Sequence, residues 1–290
     1  MSTPPFLTLP ACARAERLAT ARGSFAALLA EPLDGPVRGT ALLVPGFSGS
    51  KEDFIALLEP LAAAGYRAVT LDQRGQFETG GPAEREAYAL PELGRDLTAV
   101  SAALAGHGPL HLLGHSFAGF VAREAVLAAA ASGAELPWSS LTLLSTGPGP
   151  IQPSEAERTG MLMVGLESLD LETIWQLMQE MEGPDTPKQE SEIADFLHRR
   201  WVANVPQSLF AMCERLVGEA DRTAELAAVP LPKLWISGEQ DYAWPVDEQA
   251  ATAERLGAPY HRVAGAQHSP NAERPAETAA LLTDFWRSVA

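Results

Sequence analysis

The chain has 290 residues, 46% of them hydrophobic and 20% charged, a balance that suits one folded domain with a substantial core and sets aside a disordered or fibrous chain. Its 37 acidic residues outnumber 21 Lys and Arg, and the formal charge of -16 disfavours DNA, RNA and anionic membrane surfaces as partners. Cys12 and Cys213 stand far apart, with neither a disulfide framework nor a metal-ligand spacing.

The opening stretch MSTPPFLTLPACARAERLAT is broken by prolines and then by Arg14, Glu16 and Arg17, so no export is expected. No apolar run approaches the roughly 18 residues of a membrane span, and a cytoplasmic location is the expectation. ERLATARGSFAALLAEP reads as two strands joined at Gly23-Ser24, an antiparallel edge. Short apolar runs bounded by turn residues follow: TALLVPG (40–46), YRAVTLD (66–72), LHLLGHS (110–116), LTLLST (141–146), KLWISGE (233–239) and YHRVAG (260–265). They have the character of buried parallel strands. Helical patterns separate them, starting at Glu52, Leu90, Phe117, Asp247 and Pro275. The alternation predicts an α/β fold, a mostly parallel central sheet with helices on both faces.

From Thr146 to Ala228 the alternation stops, and a helical stretch interrupted by EGPDTPKQE takes its place. The expected organisation is a core of residues 1–145 and 229–290 with a helical cap inserted at 146–228. Every methionine but Met1 falls in that insertion, among them Met161, Met163 and Met178, beside Trp175 and Trp201. With Trp244 from the core, these are the expected lining of a substrate pocket, since Met adapts to irregular apolar space. The alternative is that LESLDLETIWQLMQEM packs its apolar stripe on the sheet.

Gly-x-Ser alone is uninformative, because GFS at 46–48 is a second copy. The setting of LLGHSFAG is not. Ser116 ends an apolar strand and Phe117 opens a helix, with Gly114, Ala118 and Gly119 as small neighbours, which is the strand-turn-helix context of a nucleophile elbow. A serine needs a base, and the base an orienting acid. Asp241 lies just past one later strand and His268 just past the next, and parallel strands carry all three loops to the same sheet edge. Glu239 and Asp247 are rival acids, but Glu239 abuts its strand and Asp247 reads as a helix N-cap. His111 and His261 sit in strands, His115 takes the variable position of the elbow, and His107 and His198 have no evident partner. An oxyanion would find backbone donors at Phe117 and at Phe47 in the turn PGFSG; Ser48 and Ser50 read as turn-capping residues.

Together LLVPGFSGSKEDF, VTLDQRGQ, LLGHSFAG, ISGEQDYAWP and AGAQHSPNAERP resemble the α/β-hydrolase superfamily, from about residue 36 to the end apart from the insertion. The resemblance implies an α/β-hydrolase fold with Ser116 as nucleophile, Asp241 as acid, His268 as base, Phe47 and Phe117 as oxyanion donors, and no metal or organic cofactor. It departs from the usual pattern at Pro45, where a His is common, at Gln267 and at Phe77; Asp72 and Arg74 read as a structural ion pair. A serine at the elbow argues against haloalkane dehalogenases and epoxide hydrolases. The leading expectation is a serine hydrolase acting on a small-molecule apolar ester or related acyl compound. Carbon-carbon bond hydrolysis releasing a dienoate is the alternative within the fold, and a non-catalytic ligand-binding protein the alternative outside enzymes. Oligomeric state and the identity of the substrate leave no mark on the sequence.

Overall fold

The computed structural model describes residues 2–181 and 190–289. The interruption EGPDTPKQE lies outside them except for Glu190. Eight strands form one sheet: β1 (Ala13–Thr20), β2 (Gly23–Ala30), β3 (Gly39–Val44), β4 (Tyr66–Leu71), β5 (Leu110–His115), β6 (Ser140–Leu144), β7 (Lys233–Gly238) and β8 (Tyr260–Val263). Their spatial order is β1-β2-β4-β3-β5-β6-β7-β8. β1 and β2 pair antiparallel, β2 runs antiparallel to β4, and every later neighbour is parallel.

The central strands are apolar on both faces because helices cover both. Along β3, Leu42 and Val44 enter one core with residues of α2 (Leu90–Ala103), α3 (Phe117–Ala131) and, further along the chain, Ala253 and Leu256 of a helix at Val246–Leu256. Ala41 and Leu43 enter the other, against α1 (Ile55–Ala63) and a C-terminal helix at Pro275–Ser288. The period of two along a strand thus divides one apolar run between two cores. In the second core Trp286 is fully buried, stacked on His111 with ring centroids 5.0 Å apart and edge-on to Tyr66. Burial pushes His111 down to about 4, so the ring is neutral there.

The hairpin turn lies at Ala21–Arg22, with Gly23 the first residue of β2 opposite Thr20, not at Gly23-Ser24. Thr20 Oγ1 accepts the Arg22 N–H at 3.0 Å and donates to the Gly23 carbonyl at 2.8 Å, closing a tight turn before the glycine. Asp72 and Arg74 do not pair with each other either. Asp72 accepts from Lys51 Nζ at 3.2 Å, and Arg74 reaches Asp96 on α2 at 2.6 Å. Neighbouring loop residues here face different elements, and each takes the partner its own side presents.

Between β6 and β7 the described chain is helical: α4 (Pro153–Ser168), α5 (Leu171–Met181), α6 (Ser191–Val202), α7 (Pro206–Gly218) and the short α8 (Thr223–Ala227). α9 (Val246–Leu256), α10 (Pro270–Glu273) and α11 (Pro275–Ser288) complete the fold. Among the described residues no helix is long and apolar enough to cross a membrane.

Candidate active site

Ser116 occupies the sharp turn between β5 and α3 with φ 55° and ψ -124°, a left-handed conformation that a β-carbon makes costly, on the order of 1–3 kcal/mol. The turn is tight enough to require small neighbours. A methyl on Gly119 would lie 2.4 Å from Thr146 Oγ1, and one on Gly46 would lie 2.8 Å from Ser116 Cβ. Gly46 therefore lets the β3 turn close directly over the serine.

Three remote loops meet at this turn. His268 Nε2 lies 3.0 Å from Ser116 Oγ, and His268 Nδ1 lies 2.8 Å from Asp241 Oδ1. A carboxylate only accepts, so Nδ1 carries the ring hydrogen and Nε2 presents its lone pair to the serine hydroxyl. Asp241 has no exposed side-chain surface. Burial alone would raise its carboxyl, but the His268 hydrogen bond and charge, the Ala243 amide and the Gln249 amide hold it below the ordinary value. Its Oδ1 accepts from the backbone of Ala243 at 2.8 Å and of Trp244 at 3.4 Å, and its Oδ2 accepts from Gln249 Nε2 at 2.9 Å. Of the rival acids, Glu239 accepts the Gly265 N–H and Asp247 lies in the first turn of α9, where Pro245 is the N-cap, and pairs with Arg262. Ser116, His268 and Asp241 thus form one hydrogen-bonded series.

The Phe47 and Phe117 amides carry no hydrogen-bond partner among the described residues. The orientation of the first is fixed from behind. Gln76 Nε2 donates to the Gly46 carbonyl at 2.7 Å, and Gln73 Nε2 to the Pro45 carbonyl at 2.8 Å. A trans peptide points its N–H opposite its C=O, so anchoring the Gly46 oxygen turns the Phe47 N–H the other way. Gln76 has no exposed surface and its Oε1 accepts the Gln73 N–H at 2.9 Å, which locks the amide. Two glutamines thereby orient this loop where Pro45 supplies no side-chain donor. Of the two serines in the turn, Ser50 takes part in capping the 3-10 turn Lys51–Phe54, while Ser48 is buried with φ 51° and its hydroxyl has no partner among the described residues.

His115, in the variable position of the elbow, contributes a contact that the sequence did not signal. Its Nε2 lies 2.8 Å from the His268 carbonyl oxygen, which fixes the hydrogen on Nε2 and ties the backbone of His268 to β5. Burial, reinforced by the nearby His268, pushes His115 down to about 3, so it is neutral at ordinary pH. His198, without an evident partner in the sequence, lies 2.6 Å from Glu172.

A cavity of about 210 Å³ opens over Ser116 and His268. Gly46, Phe47, His115, Tyr242 and Trp244 line it from the sheet side, and Glu155, Thr159, Leu162, Met178, Trp201 and Leu216 from α4 to α7. Of the residues expected to line a pocket, Met178, Trp201 and Trp244 do so. Met161, Met163 and Trp175 do not. Met161 is exposed and Met163 half-buried on other faces of α4, and Trp175 packs between α5 and α6 with its ring 5.4 Å from His198. Deeper in the wall, Asp53 accepts from Arg200 Nη1 at 2.6 Å, with neither side chain exposed, and Arg200 Nη2 donates to the Ser2 carbonyl. This pair ties α6 to the turn that follows β3. Among the described residues, no group of three or more His, Cys, Asp or Glu is placed to hold a metal ion.

An open parallel sheet with an antiparallel leading edge, helices on both faces and a strained serine at the β5–α3 turn defines an α/β-hydrolase fold. The sequence matches the alpha/beta hydrolase family over residues 41–281, and the chain belongs to that family. Similar solved structures include a bacterial membrane phospholipase A described as a virulence factor, with 21% identity over 96% of this chain and 87% of that one at a TM-score of 0.75. A thermophilic esterase from Thermogutta terrifontis is 21% identical over 95% of this chain and 99% of that one, at 0.72. The enol-lactonase from Burkholderia xenovorans LB400 is 18% identical over 94% of this chain and all of that one (100%), at 0.73. At such identities the likeness is one of fold. A search of curated proteins returned no significant match.

Proposed function

We propose that the protein is a serine hydrolase that cleaves a small to medium apolar ester or related acyl compound through an acyl-enzyme on Ser116. The observation that carries this reading is the series from Ser116 Oγ through the His268 ring to the buried Asp241 carboxylate, facing a cavity. His268 Nε2 takes the hydroxyl proton as Ser116 Oγ attacks the substrate carbonyl, and Asp241 stabilises the imidazolium that forms. The negative charge on the former carbonyl oxygen falls to the Phe47 and Phe117 amides; losing one such donor typically costs about 100 to 1,000-fold. His268 returns the proton to the departing alkoxide. Water then attacks the acyl-serine with His268 again as base, releasing the acid and restoring the serine. No step calls for a metal or an organic cofactor.

Within this reading the insertion at 146–228 is a cap on a core made of residues 1–145 and 229–290, and its apolar contributions, Ile151, Leu162, Met178, Trp201 and Leu216, seat the substrate. A cavity of about 210 Å³ falls below the roughly 300–1,000 Å³ of drug-sized sites, which favours short acyl and alkoxy groups. The test is hydrolysis of aryl esters of graded acyl length. A short-chain optimum in the parent protein, lost with Ser116→Ala, supports the proposal; turnover that survives Ser116→Ala refutes it.

A further inference from the structure

The charges around the cavity are one-sided. Among its described lining residues the acidic side chains are Asp53 and Glu155, and none is Lys or Arg. Asp53 is neutralised where it stands, since Arg200 donates to it at 2.6 Å with both side chains fully buried. Arg200 in turn spends its Nη1 on Asp53 and its Nη2 on the Ser2 carbonyl, and does not line the cavity.

Glu155 is placed differently. It lies in the first turn of α4, where the helix N-terminus favours a negative side chain, and its carboxyl is mostly covered. Its ion-pair partner among the described residues, Arg158, sits 2.9 Å away but with 72% of its side chain exposed, so water and salt screen the pair strongly. Glu155 therefore presents the cavity wall with a mostly covered negative charge whose partner lies out in solvent, inside a chain whose formal charge is already -16.

We infer that Glu155 sets the charge selectivity of this site, excluding substrates that carry a carboxylate or phosphate and admitting esters that are neutral or cationic. The inference rests on the hydrolase reading above and deepens it. It bears on the alternative chemistry too: a carbon-carbon bond hydrolase releasing a dienoate would have to seat a carboxylate, and among the described lining residues no Lys or Arg stands ready to receive one. Like charges about 10 Å apart in a partly buried site cost on the order of tenfold in binding.

The experiment compares matched esters. kcat/KM is measured for 4-nitrophenyl butyrate against 4-nitrophenyl hemisuccinate, and for butyrylcholine against its neutral isostere 3,3-dimethylbutyl butyrate. The anionic ester is expected at least tenfold below its neutral partner, and the cationic ester level with or above its own. In Glu155→Gln the anionic penalty, read as the ratio of the neutral to the anionic kcat/KM, shrinks at least threefold. Glu157→Gln, the same charge change on the exposed face of the same helix, leaves the penalty in place. An anionic ester turned over as well as the neutral one, or a penalty identical in parent and Glu155→Gln, overturns the inference. Calorimetric binding of the four esters to Ser116→Ala reads the same order without turnover. A failure to cleave any ester in the parent protein thus counts against the hydrolase reading, and a charge-blind binding order against Glu155.

Discussion

Replacing Asp241 with Asn probes the site most sharply, because the surrounding donors decide how the amide must sit. Oδ1 of Asp241 accepts from two backbone amides, Ala243 and Trp244, as well as from His268 Nδ1. Backbone donors cannot turn away, so the Asn oxygen takes that position and its NH2 replaces Oδ2. The His268 tautomer is kept and only the charge is lost. With charge centres about 4 Å apart and an effective dielectric of about 20, the carboxylate contributes about 4 kcal/mol to the imidazolium. At 1.36 kcal/mol per decade, kcat falls about a thousandfold, with KM within a few-fold. The new NH2 also faces Gln249 Nε2, donor against donor, and destabilises the fold by about 1–3 kcal/mol. Steady-state hydrolysis of a short aryl ester and a thermal melt read both effects. An Asn variant that is folded and within tenfold of parent kcat would refute this account of Asp241.

Gln76→Glu keeps the size and the acceptor toward Gln73 but removes the donor to the Gly46 carbonyl; kcat is expected to drop ten- to a hundredfold with KM nearly unchanged, and an unchanged kcat would show that the loop needs no such anchor. His115→Gln retains a side-chain N–H for the His268 carbonyl and should hold kcat within threefold, whereas His115→Leu should lose about tenfold with the acidic limb of the pH profile unmoved; equal rates in the two variants would contradict a positioning role. Burial, opposed by Arg200, pushes Asp53 up to about 6 from its ordinary 3.8, so the fold holds a proton that the unfolded chain has released between those values. That contribution favours the fold below about pH 4 and is lost as pH rises through about 6, on the order of 3 kcal/mol. Asp53→Asn removes it, and the melting temperature of the parent minus that of the variant should fall from pH 4 to 6.5; a flat difference would show that Asp53 does not titrate this way.

The sheet was readable because its strands are short apolar runs and the helices between them carry a different period, and both signals are local. The series Ser116, Asp241 and His268 was readable for a topological reason: in a parallel sheet every loop after a strand ends at the same edge, so chain order and position suffice. What escaped the sequence depends on direction. Met161, Met163 and Met178 share a composition, but only Met178 turns toward the cavity, and the faces of α4 and α5 are set by packing that composition does not encode. Glutamines carry no motif, so the anchoring of the Phe47 loop by Gln73 and Gln76 was silent. The Asp72–Arg74 pairing failed because adjacency along a loop says nothing about which neighbour each side chain faces. A methionine count therefore says which stretch is rich in adaptable apolar side chains and not which of them face the cavity.

In the proposed mechanism His268 makes Ser116 nucleophilic, and covalent trapping reads that dependence without turnover. Intact-mass and peptide analysis after treatment with a fluorophosphonate should show one adduct, on Ser116, formed rapidly in the parent protein and at least a hundredfold more slowly in His268→Ala. An adduct on another serine, or equal labelling with and without His268, would contradict it.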